Sequence, residues 1–373
     1  MLDSAVDAML PWLRDGFGNP SGVHRHARAA RQALEESRDA VAAAVGAAAR
    51  EVVFTGGGSE ALNLAFAGSS ASGETGTRRV AITAIEHDAV RNAAGALAAG
   101  DRATVRELPV DVHGVVDLER AAALIDVNTA LVAVMAVNNE VGTIQPVLEL
   151  VEITRRCAPR CLFVVDAVQA LPWCDVRPIV AAGDLVAFSA HKFGGPKGVG
   201  CLIVREGIAL NPIVYGGGQE RDRRSGTQNV AGIVAMAAAA RVADATRTER
   251  VDRVTRLRDR LVEGLLERIP EATETSPRGV KVAGNAHLCV EGVESEELLV
   301  LLDQSGVSAS AGSACASGAM HASPVLLAMG IAKERALGSL RLSLGETTTE
   351  ADVDLALAVV PACVARLRRV RAR

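Results

Sequence analysis

Leu185-Val186-Ala187-Phe188-Ser189-Ala190-His191-Lys192-Phe193-Gly194-Gly195-Pro196-Lys197-Gly198-Val199-Gly200-Cys201-Leu202-Ile203-Val204 sets two apolar runs on either side of a Gly-rich loop, with a lysine near the start of that loop. Short continuous apolar runs bounded by turn residues are the pattern of buried strands. Outward from this stretch the pattern repeats, with β-branched runs at 52–55, 80–83, 131–137 and 162–165. Segments with helical spacing lie between them, as at 89–99 and 147–157. Apolar strands alternating with helices predict an α/β fold, a mostly parallel central sheet covered by helices on both faces. Such a sheet binds its ligand outside the carboxyl ends of the strands, where Lys192 falls.

The chain has 373 residues, enough for two domains. Residues 230–269 read as one or two long helices, and the pattern restarts after Pro270 with strands at 287–290 and 340–344 and helices at 295–304 and 349–360. We place a large domain at 1–270, with room for its N-terminal segment to join the small one, and a smaller α+β domain at 271–373. Apolar residues at 49% support a packed core. A net charge of −4 and 2% aromatics exclude a general nucleic-acid binder. No apolar run is long enough to cross a membrane as a helix. Seven scattered cysteines without finger-like spacing suit a reducing, cytoplasmic setting better than a disulfide framework or a metal site.

Of the 40 Lys+Arg residues, only Lys192, Lys197, Lys281 and Lys333 are lysines. A retained lysine stands out in such a chain, because guanidinium cannot lose its proton to attack a carbonyl. Asp166, at the end of the 162–165 run, is a carboxylate that needs a cation or a helix N-terminus to cap. The run ending at Thr55 enters Gly56-Gly57-Gly58-Ser59-Glu60, where glycines and a helix start favour an anion. A phosphate cradle, a carboxylate for a ring nitrogen and an amine for an aldehyde are together the parts that hold pyridoxal 5′-phosphate (PLP). His87 could stack on that ring or cap a helix. Residues 308–318 are small ones holding a single thiol, Cys315, a setting that suits a nucleophile rather than a packing residue.

These residues resemble the cysteine desulfurases, fold type I PLP enzymes of the class-V aminotransferase group, in the nitrogen-fixation and iron–sulfur-cluster subgroup. The likeness runs through Gly18-Asn19-Pro20-Ser21, the 56–60 loop, Glu86-His87, Asn138-Asn139-Glu140, Asp166 with Gln169, and His191-Lys192. It continues through Gly216-Gly217-Gly218-Gln219-Glu220, Arg224-Ser225-Gly226-Thr227, Gly312-Ser313-Ala314-Cys315 and Leu340-Arg341-Leu342-Ser343. It implies that Lys192 joins the cofactor aldehyde and moves protons, that Asp166 pairs with the ring nitrogen, that Gln169 bonds the ring hydroxyl and that His87 stacks on the ring. Gly58, Ser59, Ser189 and His191 would hold the phosphate, with Thr227 added from the other subunit of a homodimer. Asn139 and Arg341 would bind the carboxylate of L-cysteine, and Cys315 would accept its sulfur as a persulfide, for iron–sulfur cluster assembly or thiolation through an acceptor or scaffold protein.

Two departures accompany the likeness. The chain opens at Met1-Leu2-Asp3, downstream of an Asn-Ala-Ala-Thr-Thr-Pro-like segment usual in the family, which implies a start upstream. The phosphate loop reads Gly-Gly-Gly-Ser where Ser-Gly-X-Thr is usual, with Ser59 keeping a hydroxyl. Other readings of the same parts are an aminotransferase, a selenocysteine lyase or a truncated, non-catalytic paralogue.

Overall fold

The computed structural model describes residues 1–69, 78–101, 103–312 and 322–371. Cys315 therefore lies outside the described residues. The chain divides into two compact units: the first takes residues 1–108, 118–136 and 146–247, and the second takes 109–117, 137–145 and 248–373.

The first unit runs α1 (Asp3–Arg14), α2 (Arg25–Val45), β1 (Val52–Thr55), α3 (Gly58–Ser69), β2 (Arg78–Thr83), α4 (Asp88–Ala99), β3 (Ala103–Leu108), α5 (Leu118–Leu124), β4 (Thr129–Met135), α6 (Val147–Cys157), β5 (Leu162–Asp166), α7 (Arg177–Ala182), β6 (Leu185–Ser189), β7 (Gly200–Val204) and α8 (Val230–Ala245). Its seven strands lie in the order β1-β7-β6-β5-β4-β2-β3. Neighbours from β6 to β3 are parallel, and β7 is antiparallel to both β1 and β6. The predicted mostly parallel sheet is thus present, with two antiparallel pairings at one side. Val53, Leu62, Phe66, Val80, Leu131, Val164, Leu185 and Leu202 belong to one core cluster with residues of α3 and α4. Strands β5, β6 and β7 are buried along nearly all their length, which is why they read as continuous apolar runs.

Register does the positioning. Met135, Asp166 and Ala187 lie side by side across β4, β5 and β6. Ser189, Gly200 and Thr55 do so across β6, β7 and β1. The carboxyl ends of β1, β5 and β6 therefore bring the phosphate-loop candidate, the carboxylate and the lysine turn to one end of the sheet. Gly200 permits this: a Cβ there would lie 2.5 Å from the Phe188 carbonyl oxygen and 2.9 Å from the Gly57 backbone.

The second unit contains α9 (Arg247–Arg268), β8 (Ala272–Glu274), β9 (Asn285–Val290), α10 (Ser295–Gln304), α11 (Pro324–Ala328), α12 (Lys333–Ala336), β10 (Ser339–Ser343) and α13 (Glu350–Arg371). Its three strands form an antiparallel sheet in the order β10-β9-β8. This is the expected α+β unit, but it begins at Thr248 rather than after Pro270. The arginines of α9 explain the shift: Arg250 pairs with Glu346, Arg253 donates to the Thr348 and Glu346 carbonyls, and Arg258 donates to that of Val282. The unit also recruits 137–145 through the bridge Thr143↔Lys281, and 109–117 through the Thr143 and Ser276 hydroxyls, which donate to the His113 carbonyl. The N-terminal segment belongs to the first unit. No helix among the described residues is long and apolar enough to cross a membrane.

Candidate active site

In the first unit β5 ends at Asp166, which is 7% exposed. One of its oxygens accepts the Val168 N–H at 3.0 Å. Burial pushes the Asp166 carboxyl above its usual range, while the Val168 N–H and the nearby His87 and Lys192 side chains pull the other way. A buried carboxylate in this state is an incomplete pair that a further cation would complete. Strand β6 ends at Ser189 and passes into a single 3-10 turn, Ala190–Lys192. The Ser189 hydroxyl shares a 3.0 Å hydrogen bond with His191 Nδ1. Burial and the charges of Lys192 and Lys197 lower the His191 pKa, so the imidazole is neutral and its Nε2 remains for another partner. Lys192 and His191 are exposed.

His87 caps α4: its Nδ1 accepts the Ala89 N–H at 3.1 Å. A neutral His87 therefore carries its proton on Nε2. The two sequence readings of this residue are compatible, since the cap engages only Nδ1. Gln169 is half-buried in the turn after Asp166.

The turn from β1 into α3 is built for close approach. A Cβ on Gly58 would stand 2.6 Å from Val168 Cγ2 and 3.4 Å from Ser189 Cβ, and one on Gly57 would stand 3.8 Å from Ser189 Oγ. Thr55 Oγ1 donates to the Gly57 carbonyl at 3.0 Å, and the Gly56 N–H donates to Glu60 at 2.7 Å. Ser59 is exposed at the start of the helix. Thr227 is also exposed in the single chain.

Glu86 carries no role in the sequence reading, yet it is 3% exposed and next to His87. One oxygen accepts the Met135 N–H at 2.8 Å and the Thr83 hydroxyl. The other, Oε2, is buried without a hydrogen-bond partner among the described residues. Burial, opposed by the Thr83 hydroxyl and reinforced by neighbouring Asp166, pushes this carboxyl up to about 8. At about 8 the Glu86 carboxyl keeps its proton at neutral pH, while neighbouring His87 and Lys192 favour the ionised form of Asp166 against burial. The signal available in the sequence was a glutamate beside His87, shortly after the apolar run at 80–83.

In the second unit, Arg341 on β10 donates to the Asn139 carbonyl at 2.8 Å, which brings these two candidates together. Glu140 and His287 are 1% and 0% exposed, with 4.0 Å between Oε1 and Nε2. Burial pushes Glu140 up to about 7 against Ser323 and Arg341, and it drives His287 down to about 3 with help from Lys281 and Arg341. Ser310 pairs by backbone with Arg341, so the segment entering Gly312 runs beside β10. Gly312 has room for nothing more than hydrogen, because a Cβ would fall 2.0 Å from Glu140 Oε1.

A family model described as "Aminotransferase class-V" matches residues 1–356. An IscS-like cysteine desulfurase of Mycobacterium tuberculosis is 42% identical over 377 residues, covering 99% of this chain and 95% of its own. The chain belongs to the class-V aminotransferases, among the cysteine desulfurases. A solved NifS-like protein superposes with a TM-score of 0.92 at 34% identity, covering 98% of this chain and 96% of that one. A structure titled "SspA in complex with cysteine" gives 0.81 at 27% identity, covering 94% and 97%. The enzyme acts on L-cysteine, and the family depends on PLP. The residues here fit that cofactor. At Gly58 a side chain would crowd Val168 and Ser189, and Asp166 is a buried carboxyl whose ionised form a cation would favour.

Proposed function

We propose that the enzyme converts L-cysteine to L-alanine and passes the sulfur to Cys315 as a persulfide, for an acceptor or scaffold protein serving iron–sulfur cluster assembly or thiolation in the cytoplasm. The observation that carries the reading is the gathering of Asp166, His87 and Lys192 at the carboxyl end of one sheet, with Asp166 in electrostatic reach of both side chains. Bound PLP supplies an electron sink for the bond electrons released at the substrate Cα. Asp166 would pair with the ring nitrogen, Gln169 would meet the ring hydroxyl and His87 would stack on the ring. Gly58, Ser59, Ser189 and His191 take the phosphate, with Thr227 supplied by a second copy in a homodimer.

Lys192 would hold the cofactor aldehyde, and its amine would take and return a proton at the substrate Cα. Arg341 and Asn139 orient the substrate carboxylate, a task suited to a bidentate guanidinium. The Cys315 sulfur, as thiolate, attacks the substrate sulfur. The S–S bond forms as the Cβ–S bond breaks, the electron pair stays on carbon, and a proton there completes alanine. No external oxidant is needed, since two thiols become one persulfide and one C–H bond. Purified protein given PLP, L-cysteine and a reductant should release alanine and sulfide in equal amounts. Alanine without sulfide, or neither product, contradicts the reading.

A further inference from the structure

Three consecutive non-glycine residues, Glu220, Arg221 and Asp222, have φ of 48°, 58° and 61°. Left-handed backbone is rare for single side-chain-bearing residues and disfavoured in runs, so the surrounding structure must hold it in place. Glu220 shows how. Its carboxylate is buried and takes two hydrogen bonds from Arg38, at 2.8 and 2.9 Å, one from the Phe54 N–H at 2.9 Å and one from Gln228 at 3.3 Å. Arg38 is itself buried, donates to the Val52 carbonyl and lies over the Phe54 ring. Just beyond, Arg224 donates to Glu60 at 2.8 and 3.3 Å, and the same carboxylate accepts the Gly56 N–H. The strained segment is therefore fixed at two points, Phe54 and Gly56, on either side of Thr55 where β1 enters the glycine turn.

We propose that Glu60 and Arg224 form a latch, backed by the buried Arg38–Glu220 pair, that holds the Gly56–Ser59 turn in the shape that receives the cofactor phosphate. Both are positioning residues. The inference rests on reading Gly58 and Ser59 as phosphate contacts and is independent of Cys315. Preorganising a binding turn raises affinity by lowering the cost of ordering it, without a new contact. A latch differs from a charge effect in the sign of its parts. As bare charges, Arg224 would attract the phosphate and Glu60 would repel it.

The test is titration of full-length apoprotein with PLP and with pyridoxal, which lacks the phosphate, by absorbance or fluorescence. It uses the wild type, Glu60→Ala, Arg224→Ala, the double variant and Ser59→Ala. The expected result is a PLP dissociation constant raised roughly tenfold in each single variant and no more in the double, about 1.4 kcal/mol, with pyridoxal binding and apoprotein melting unchanged. If Glu60→Ala does not fold, Glu60→Gln keeps an acceptor for Gly56 and should give a smaller loss of the same sign. Tighter PLP binding in Glu60→Ala with cancellation in the double variant overturns the latch in favour of simple charge. Unchanged PLP binding, or equal losses for pyridoxal, also overturns it. If Ser59→Ala leaves the PLP-to-pyridoxal ratio unchanged, the phosphate reading itself fails and takes the latch with it. A lowered ratio in Ser59→Ala with unaltered Glu60 and Arg224 variants sinks the latch alone.

Discussion

Asp166 and Glu86 are neighbouring buried carboxyls with different tasks. Burial raises both; the Val168 N–H, His87 and Lys192 oppose it at Asp166, and the Thr83 hydroxyl, the Met135 N–H and Arg91 oppose it at Glu86, whose other oxygen has no hydrogen-bond partner among the described residues. Asp166→Asn removes the carboxyl group and keeps the shape. It should leave PLP bound and lower kcat on the order of 10²–10³-fold, the scale of losing one oriented electrostatic group in a dry site; an unchanged kcat would refute the assigned pairing. For Glu86 the sign follows from linkage. The carboxyl ionises near pH 4.5 in the unfolded chain and near 8 in the folded one, so the unfolded state holds fewer protons between these values. Its contribution to stability therefore falls as pH rises across that window and is flat above it. Glu86→Gln, which keeps an acceptor for Met135 and needs no proton, should gain melting temperature relative to wild type from pH 5 to pH 8. A constant difference between the two across that range would show that the folded carboxyl is ionised throughout.

At the scale of elements, α4 offers a separation of structure from chemistry, because His87 both caps the helix and lies near Asp166. His87→Asn should preserve the cap and lose the ring, leaving stability near wild type while activity falls. His87→Ala should lose both, with an added cost of about 0.5–2 kcal/mol from the missing cap. Thermal melts beside steady-state kinetics decide this, and equal activity in the His87→Asn variant and the wild type would leave capping as the residue's whole role. Strands buried along their length were legible as apolar runs, 52–55 matching β1 residue for residue and 185–188 falling one short of β6, and α6 matches 147–157 through its helical spacing. Strand β3 was not, since Thr104, Arg106 and Glu107 stay partly or fully exposed at the sheet edge and break the apolar run. In the site, Lys192 and Asp166 could be read from their positions at strand ends. Glu60, Glu86 and Glu220 could not, because their meaning lies in backbone N–H groups at Gly56, Met135 and Phe54 that only the folded chain brings to them.

For the whole molecule, the division of the chain was the least legible feature. Residues 137–145 follow β4 directly and hold Asn139 and Glu140, yet they belong with 248–373 through the bridge from Thr143 to Lys281. A boundary drawn along the sequence cannot express a unit assembled from three separate segments. The same assembly lets Asn139, from the middle of the chain, meet Arg341 near its end. In the proposed function the sulfur of free cysteine comes to rest on one particular thiol of this chain. Brief exposure of the PLP-loaded enzyme to L-cysteine, alkylation and peptide mass spectrometry measures that directly. The account predicts one added sulfur atom on the peptide containing Cys315 and none on those containing Cys157, Cys161, Cys174, Cys201, Cys289 or Cys363. Added sulfur on another cysteine, or alanine formed with Cys315 unmodified, would contradict it.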